Sequence, residues 1–337
     1  MKAIVLRQFG APNVLVYGDY PTPAPKLGEA LVRVKSCALN HLDLHLRHGV
    51  LGIPLPHIMG SDVAGTVEQL NGKSDFKIGD EVVVNPAIAC GTCARCRQGL
   101  DCEKVGIFGY NTFGGYAEYV CAPIAQLHPK PKSLNWVEAA GFPLTFLTAW
   151  RMLHTKAKLQ RGETVFIWGA SGGLGTAAVQ IAKASGARVI AAARSGENAS
   201  ALKRLGADET VEYAKENVVE VVQRLTKQQG VDVVFECVGK ETWERTIAMA
   251  RFHGRIVIAG TASGDVASQD LSEVYYKQLS IHGSRMGTAK EFGEALSFME
   301  QKKLKPMVDR TFPLREASKA HERLESRQQL GKIVLEV

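Results

Sequence analysis

A chain of 337 residues, 45% of them hydrophobic, is long enough for two ordinary domains, each with a real core. No apolar run reaches the roughly 18 residues of a membrane span, and the start Met1-Lys2-Ala3-Ile4-Val5-Leu6, followed by Arg7-Gln8-Phe9-Gly10, lacks a signal peptide's apolar core, so no membrane is expected and the chain reads as cytosolic. The net charge of +7 comes from scattered Lys and Arg with no dense basic tract, so no nucleic-acid partner is expected and an anionic cofactor suits the balance.

From Met1 to about Ala125 the chain reads as short β-runs separated by Gly and Pro. Examples are Ala30-Leu31-Val32-Arg33-Val34, Gly65-Thr66-Val67-Glu68 and Asp80-Glu81-Val82-Val83-Val84. Such spacing predicts an all-β, barrel-like unit. Pro21, Pro23 and Pro25 mark an early loop. Late in this unit, four of the seven cysteines, Cys90, Cys93, Cys96 and Cys102, fall in one short run. In a cytosolic chain clustered thiols favour a metal over disulfides, and four thiolates this close suit one tetrahedral zinc. Cys102 is the natural fourth ligand and Glu103 a weaker one; four unmetallated thiols are the alternative. His41 and His45 stand at i, i+4 in a segment that also holds Cys37, Asp43, His48 and His57. That spacing suits either another metal or ordinary packing.

After about Gln126 the texture changes. Thr164-Val165-Phe166-Ile167-Trp168 reads as a buried strand. A Gly-rich turn follows, then a helical stretch from Thr176 to Ser185 and the strand Arg188-Val189-Ile190-Ala191-Ala192. The pattern continues through Asp232-Val233-Val234-Phe235-Glu236 and Arg255-Ile256-Val257-Ile258-Ala259. Strands alternating with helices predict a doubly wound parallel sheet, giving an α/β chain. The tail carries helix-like runs (Glu291 to Gln301, Arg315 to Leu324) and a last strand, Lys332-Ile333-Val334-Leu335-Glu336, expected to return to the first domain.

The turn Gly169-Ala170-Ser171-Gly172-Gly173-Leu174-Gly175 sits between strand and helix, as a dinucleotide fingerprint requires. Small residues let the backbone approach a pyrophosphate, and the helix N-terminus offers N–H groups and positive dipole. Ala170 takes the first Gly position, with Gly172 and Gly175 following. NAD sites usually end the second strand in an acid. Here the end reads Ala193-Arg194-Ser195-Gly196, which favours the 2′-phosphate of NADPH.

These residues and the cysteine run resemble the medium-chain dehydrogenase/reductase superfamily of zinc-type alcohol dehydrogenases and quinone oxidoreductases. The resemblance spans nearly the whole chain. It implies a GroES-like β-barrel catalytic domain (1–125, with a C-terminal return at 266–337) and a Rossmann cofactor domain (126–265). It also implies an active site in the cleft between domains, and homodimers or homotetramers.

Zinc-dependent members of that family hold a second, catalytic zinc. Here the three ligand positions carry Asn40, Ser61 and Leu144, poor or impossible zinc ligands. Leu39-Asn40-His41-Leu42-Asp43 and Gly60-Ser61-Asp62-Val63-Ala64-Gly65 look like the quinone oxidoreductase branch, whereas most of that branch lacks the cysteine lobe. The last cysteine gap is also two residues shorter than the family's. By resemblance, Asn40 and Thr148 flank the nicotinamide and a substrate carbonyl, and Asp43 braces the turn or orients a neighbour. Cys237, Val238 and Gly239, Gly260 and Thr261, and Ser284, Arg285 and Met286 follow later strands, where the family contacts the nicotinamide ribose and ring. Tyr213 lies where relatives contact the adenosine phosphate, and Asn198 where they often place a phosphate-binding Lys. The expectation is therefore an NADPH-dependent reductase of quinones or α,β-unsaturated carbonyls, acting on a small molecule, with one structural zinc. The alternatives are a zinc alcohol dehydrogenase with atypical ligands and a non-enzymatic NADPH-binding protein.

Overall fold

A computed structural model describes residues 1–98 and 100–337 of the chain; Gly99, inside the cysteine run, lies outside the described residues. Two units form, one from Met1–Leu144 and Gly287–Val337, the other from Thr145–Met286.

In the first unit, β1 (Lys2–Leu6) and β2 (Leu15–Asp19) make an antiparallel pair. β3 (Glu29–Ala38) is the spine and runs into helix α1 (His41–Arg47). β4 (Asp62–Asn71) pairs with β3 along its length, and β5 (Glu81–Val84) pairs with β4. The cysteine run is bracketed by a small ribbon, β6 (Ala87–Ile88) with β7 (Gly106–Ile107), and contains the short helix α2 (Ala94–Arg97). β8 (Tyr119–Pro123) pairs with the start of β3, and β9 (Leu127–Pro129) with β5. Helix α3 (Trp136–Ala140) follows, capped by Asn135, whose Oδ1 accepts the Glu138 N–H.

Helix α4 (Pro143–Trp150) leads through a π-helical stretch, Arg151–Lys156, into the second unit's sheet. Strands and helices then alternate as expected: β10 (Thr164–Ile167), α5 (Gly173–Ala184), β11 (Arg188–Ala193), α6 (Gly196–Leu205), β12 (Glu209–Glu212), α7 (Val218–Leu225), β13 (Val231–Glu236), α8 (Trp243–Met249), β14 (Ala250–Ile258), α9 (Leu271–Tyr276) and β15 (Ser280–Gly283). The six strands are all parallel, in the order β12-β11-β10-β13-β14-β15. β10 and β13 are central and mostly buried, and apolar apart from Thr164, Asp232 and Glu236, as helices on both faces require. Phe166, Ile190, Val234 and Ile256 centre the core of this unit.

The tail returns to the first unit. Helix α10 (Ala289–Lys302), β16 (Val308–Pro313), α11 (Ala317–Glu325) and β17 (Lys332–Glu336) complete a seven-stranded sheet, with β17 antiparallel to the end of β3. The boundaries differ from those expected at 125 and 265. Residues to Leu144 stay with the first unit, where β9 adds to β5. Residues 266–286 stay with the second, where β15 adds a sixth strand beside β14. Both differences arise from pairing between distant segments, which local texture does not carry.

Candidate active site

Strand register gathers one polar cluster in the first unit. β3 runs antiparallel to β4 and to β17, so the end of β3 meets the starts of both. Ala38 pairs with Asp62, and the Leu39 N–H bonds the Ile333 carbonyl. Lys332 therefore lands beside Asn40. Its Nζ donates to the Leu39 carbonyl (2.6 Å), to Asn40 Oδ1 (2.6 Å) and to Asp62 Oδ2 (2.8 Å). Asn40 Nδ2 also donates to Asp62 Oδ2, at 2.9 Å, and Asp62 Oδ1 accepts the Leu144 N–H at 2.7 Å. Lys332 and Asp62 are buried, their side chains 4% and 0% exposed. An ion pair at this depth persists only when its remaining donors and acceptors are satisfied, as here.

Asn40 is also the N-cap of α1, and Asp43 sits three residues on. The Asn40 N–H donates to Asp43 Oδ2 at 2.7 Å. Burial pushes the Asp43 carboxyl up to about 7, against the hydrogen bond from Asn40 and the charge of Lys332. Ser61 Oγ is buried without a hydrogen-bond partner. Gly60, with φ +104, turns the chain into this cluster; a Cβ there would meet the Tyr116 ring at 2.5 Å and Cys37 Sγ at 2.7 Å. Burial also pushes the Cys37 thiol well up, consistent with a core thiol. His41 is pushed down to about 4, first by burial.

In the second unit, every expected cofactor residue follows the C-terminal end of a parallel strand, so all share one edge of the sheet. Ala170, Ser171, Gly172, Gly173, Leu174 and Gly175 follow β10, Arg194 and Ser195 follow β11, and Tyr213 follows β12. Cys237 and Val238 follow β13, Gly260 and Thr261 follow β14, and Ser284, Arg285 and Met286 follow β15. A Cβ on Gly175 would lie 2.2 Å from the Gly169 carbonyl oxygen, so only glycine allows this close approach of helix to loop. At Gly172 a Cβ would meet nothing nearer than 3.5 Å, which leaves that backbone open to a ligand phosphate. The residues present thus fit a dinucleotide. Thr148, on α4, belongs to this second unit and is buried.

Two features of this edge were not anticipated. The buried Glu236 carboxylate accepts the Val238 and Gly239 N–H groups (2.7 and 3.0 Å) and the hydroxyls of Thr242 and Thr246 (2.9 and 2.6 Å), which shapes the turn after β13. Asn198 Nδ2 donates to Ser171 Oγ at 2.9 Å, tying α6 to the Gly-rich loop.

The four cysteines form the one group of three or more His, Cys, Asp or Glu within metal reach among the described residues; their Sγ atoms lie within 4.8 Å of one another. Cys93 caps α2, its Sγ accepting the Cys96 N–H, and Cys102 Sγ accepts the Cys90 and Lys104 N–H groups. The Thr92 and Cys93 N–H groups lead in drawing the Cys90 thiol down to about 6; sharing protons with Cys93 sends Cys96 up to about 12. Converging, partly ionised sulfurs suit zinc. No third ligand joins His41 and His45 among the described residues.

The chain matches the zinc-binding dehydrogenase family over residues 173–301 and the alcohol dehydrogenase GroES-like domain over residues 26–132. It is 33% identical to an NAD-dependent alcohol dehydrogenase of Sulfurisphaera tokodaii, with 99% of each chain covered. The chain belongs to the medium-chain dehydrogenase/reductase superfamily. It is a medium-chain oxidoreductase, with a GroES-like domain and a Rossmann domain. It is also 31% identical to the quinone oxidoreductase of Mus musculus, with 96% of this chain and 93% of that one covered. A solved structure of an NAD-dependent alcohol dehydrogenase matches with a TM-score of 0.97 at 45% identity over 100% of both chains. In this medium-chain oxidoreductase, sequence reasoning singled out Asn40 and Asp43 and did not foresee Lys332 and Asp62, the hydrogen-bond partners of the Asn40 side chain. The signal available was a lysine heading the apolar strand Ile333-Val334-Leu335, a position where burial demands a partner.

Proposed function

We propose that this chain is an NADPH-dependent oxidoreductase that passes hydride to a quinone or an α,β-unsaturated carbonyl, with one zinc held by Cys90, Cys93, Cys96 and Cys102 and none at the active site. The observation that carries this reading is the ammonium of Lys332 on Asn40 Oδ1 and Asp62 Oδ2. The family's second zinc does not suit these residues. Asn40 Oδ1 is engaged by a cation, Leu144 has no ligand atom in its side chain, and Ser61 offers only a hydroxyl.

The same geometry supports a different means of polarising a carbonyl. With Oδ1 on Lys332, the Asn40 amide is oriented, and Lys332 draws electron density from it. One Nδ2 hydrogen goes to Asp62, and an amide carries two. We assign the second to the acceptor's carbonyl oxygen. A conjugated acceptor spreads the charge that hydride addition creates, so oriented hydrogen-bond donors suffice. Bound NADPH would supply the hydride. Arg194, exposed after β11, would pair with its 2′-phosphate. Zinc in the cysteine lobe would cross-link the segment between β6 and β7.

A homodimer or homotetramer suits the unpaired side of β15, where Ile281 is exposed, and the exposed Leu271, Tyr275 and Tyr276 of α9. No described helix is long and apolar enough to cross a membrane. Seven free cysteines suit a cytoplasmic setting.

Elemental analysis combined with stopped-flow oxidation of NADPH against a panel of quinones and enones tests this. We expect one zinc per chain and rapid hydride transfer to members of the panel. Two zincs per chain, or alcohol oxidation with no transfer to any quinone or enone, would overturn the reading.

A further inference from the structure

The two helices that leave the cofactor edge of the second unit, α5 and α6, start differently. Gly172, the N-cap of α5, has no side chain to offer the first N–H groups, so these are left for an anion. Ser195 caps α6 in the ordinary way, its Oγ accepting the Asn198 N–H at 3.4 Å. A short hydrogen-bonded row joins the two starts. The Ser195 hydroxyl donates to Asn198 Oδ1 at 3.2 Å, and Asn198 Nδ2 donates to Ser171 Oγ at 2.9 Å. Ser171 and Asn198 are half-buried. They stand 27 residues apart, and they meet because β10 and β11 lie side by side in the sheet.

The chemistry of these groups fixes the direction of each bond. A hydroxyl has one proton and two lone pairs; an amide side chain has two protons on nitrogen and lone pairs on oxygen only. Ser195 Oγ accepts from the Asn198 backbone and gives its one proton to Asn198 Oδ1. With its oxygen engaged there, the amide turns Nδ2 to Ser171, so Ser171 Oγ receives a hydrogen bond and its own proton points elsewhere. No acceptor among the described residues takes that proton. Thr176, the other hydroxyl at this end of α5, is buried and donates to the Gly173 carbonyl at 3.1 Å. Ser171 is therefore the hydroxyl here that is free to donate to a ligand.

We propose that Asn198 is a positioning residue for the cofactor: it holds Ser171 by a lone pair, so that the Ser171 hydroxyl serves as a donor to the pyrophosphate of the bound dinucleotide. The proposal rests on the reading of the Gly-rich loop as the pyrophosphate cradle. Pyrophosphate oxygens at neutral pH only accept, so a hydroxyl serves them only with its proton turned outward. An amide oxygen facing Ser171 would draw that proton to itself. Ser195 acts one step further back, because occupying Oδ1 settles which end of the amide faces Ser171. The row also ties the first turn of α6 to the loop before α5, so the two turns assigned to the dinucleotide form one hydrogen-bonded unit.

Calorimetric titration of the full chain with NADPH and with NADH tests this. Asn198→Ala should raise the Kd of both by about two- to tenfold, the worth of one hydrogen bond. The factor should be the same for each, because both nucleotides carry the pyrophosphate. In protein that already carries Ser171→Ala, adding Asn198→Ala should change Kd by less than about twofold, since the amide then has no hydroxyl to hold. Asn198→Asp separates positioning from a merely structural role. A carboxylate accepts from both serines, which turns the Ser171 proton away from the ligand and sets a negative charge beside the phosphates. The same charge in the first turn of α6 favours the helix. The Tm of the cofactor-free protein should therefore hold or rise, while Kd for both nucleotides climbs about tenfold beyond that of the Ala variant, as like charges face each other. A loss confined to NADPH would put Asn198 on the 2′-phosphate and overturn the proposal. An equal effect of Asn198→Ala with and without the Ser171 hydroxyl would overturn it too, as would an Asp variant that binds like the wild type. A wild-type chain that binds neither nucleotide would overturn the cofactor reading and this proposal with it, whereas variants that match a wild type that does bind would overturn the proposal alone.

Discussion

Lys332 shows how a single side chain can set the character of a site. Its ammonium makes three hydrogen bonds of 2.6–2.8 Å, to the Leu39 carbonyl, Asn40 Oδ1 and Asp62 Oδ2, so no donor is spare for a substrate. Its influence passes through Asn40, whose amide it both orients and polarises. Lys332→Met would leave Asp62 buried with only the Asn40 and Leu144 N–H groups. Breaking such a pair one-sidedly costs about 3–5 kcal/mol, which urea unfolding would register. Hydride transfer should slow by about 100-fold, the usual loss when one oriented donor is disturbed, with affinity for NADPH little changed. In the double variant Lys332→Met/Asp62→Asn the stability loss should fall short of the sum of the two single losses, since neither charge is then left alone. Strict additivity would mean the pair is not coupled. None of this was legible in the sequence beyond the identity of Asn40. Lys332 and Asn40 stand 292 residues apart, and only the β17–β3 register brings them together.

At the scale of elements, the proposed cofactor side of the chemistry falls at the ends of strands. The loop after β10 was legible because a strand, a Gly-rich turn and a helix lie in one continuous stretch, with Gly169 and Gly175 answering local steric demands. The same holds for the turn after β11, with one adjustment. Ser195, expected to help hold a phosphate, is the N-cap of α6, its Oγ accepting the Asn198 N–H at 3.4 Å. Asn198 is engaged with Ser171. Arg194 is therefore the side chain at this turn with the charge to read a 2′-phosphate. Replacing Arg194 by Ala should weaken NADPH binding by about 10- to 100-fold, the worth of a charge-assisted contact of 1.5–3 kcal/mol, and leave NADH within about twofold. Titration of intrinsic or cofactor fluorescence measures both, and equal losses for the two cofactors would exclude Arg194 from that role. The Glu236 turn was harder to foresee. An acid ending a buried strand reads locally as a ligand for ribose or solvent, although the four donors that make it a brace lie within the next ten residues, on the turn and on α8.

For the whole molecule, the two sheets end differently. The β12 side of the Rossmann sheet carries the polar strand Glu209–Glu212, while the β15 side presents Ser280-Ile281-His282-Gly283 with no further strand paired to it among the described residues. Ile281 is 42% exposed, and Leu271, Tyr275 and Tyr276 of the preceding helix are 72%, 61% and 71% exposed. An open edge flanked by apolar side chains invites another strand, and natural proteins usually blunt such edges with charge, bulges or cover. The described edge has none of these on Ile281. A second copy of the same chain satisfies it with the fewest assumptions, because a two-fold axis brings each edge against its equal and closes the assembly. Light scattering on the wild-type protein should therefore give at least twice the 36.6 kDa chain mass. Ile281→Lys sets like charges face to face across such an axis, and it should halve the measured mass without loss of zinc. A wild-type mass of one chain, or a variant that keeps the wild-type mass, would move the interface elsewhere. Because β15 leads directly to Ser284, Arg285 and Met286, dissociation should also weaken NADPH binding, and the dependence of that affinity on protein concentration would report both events together.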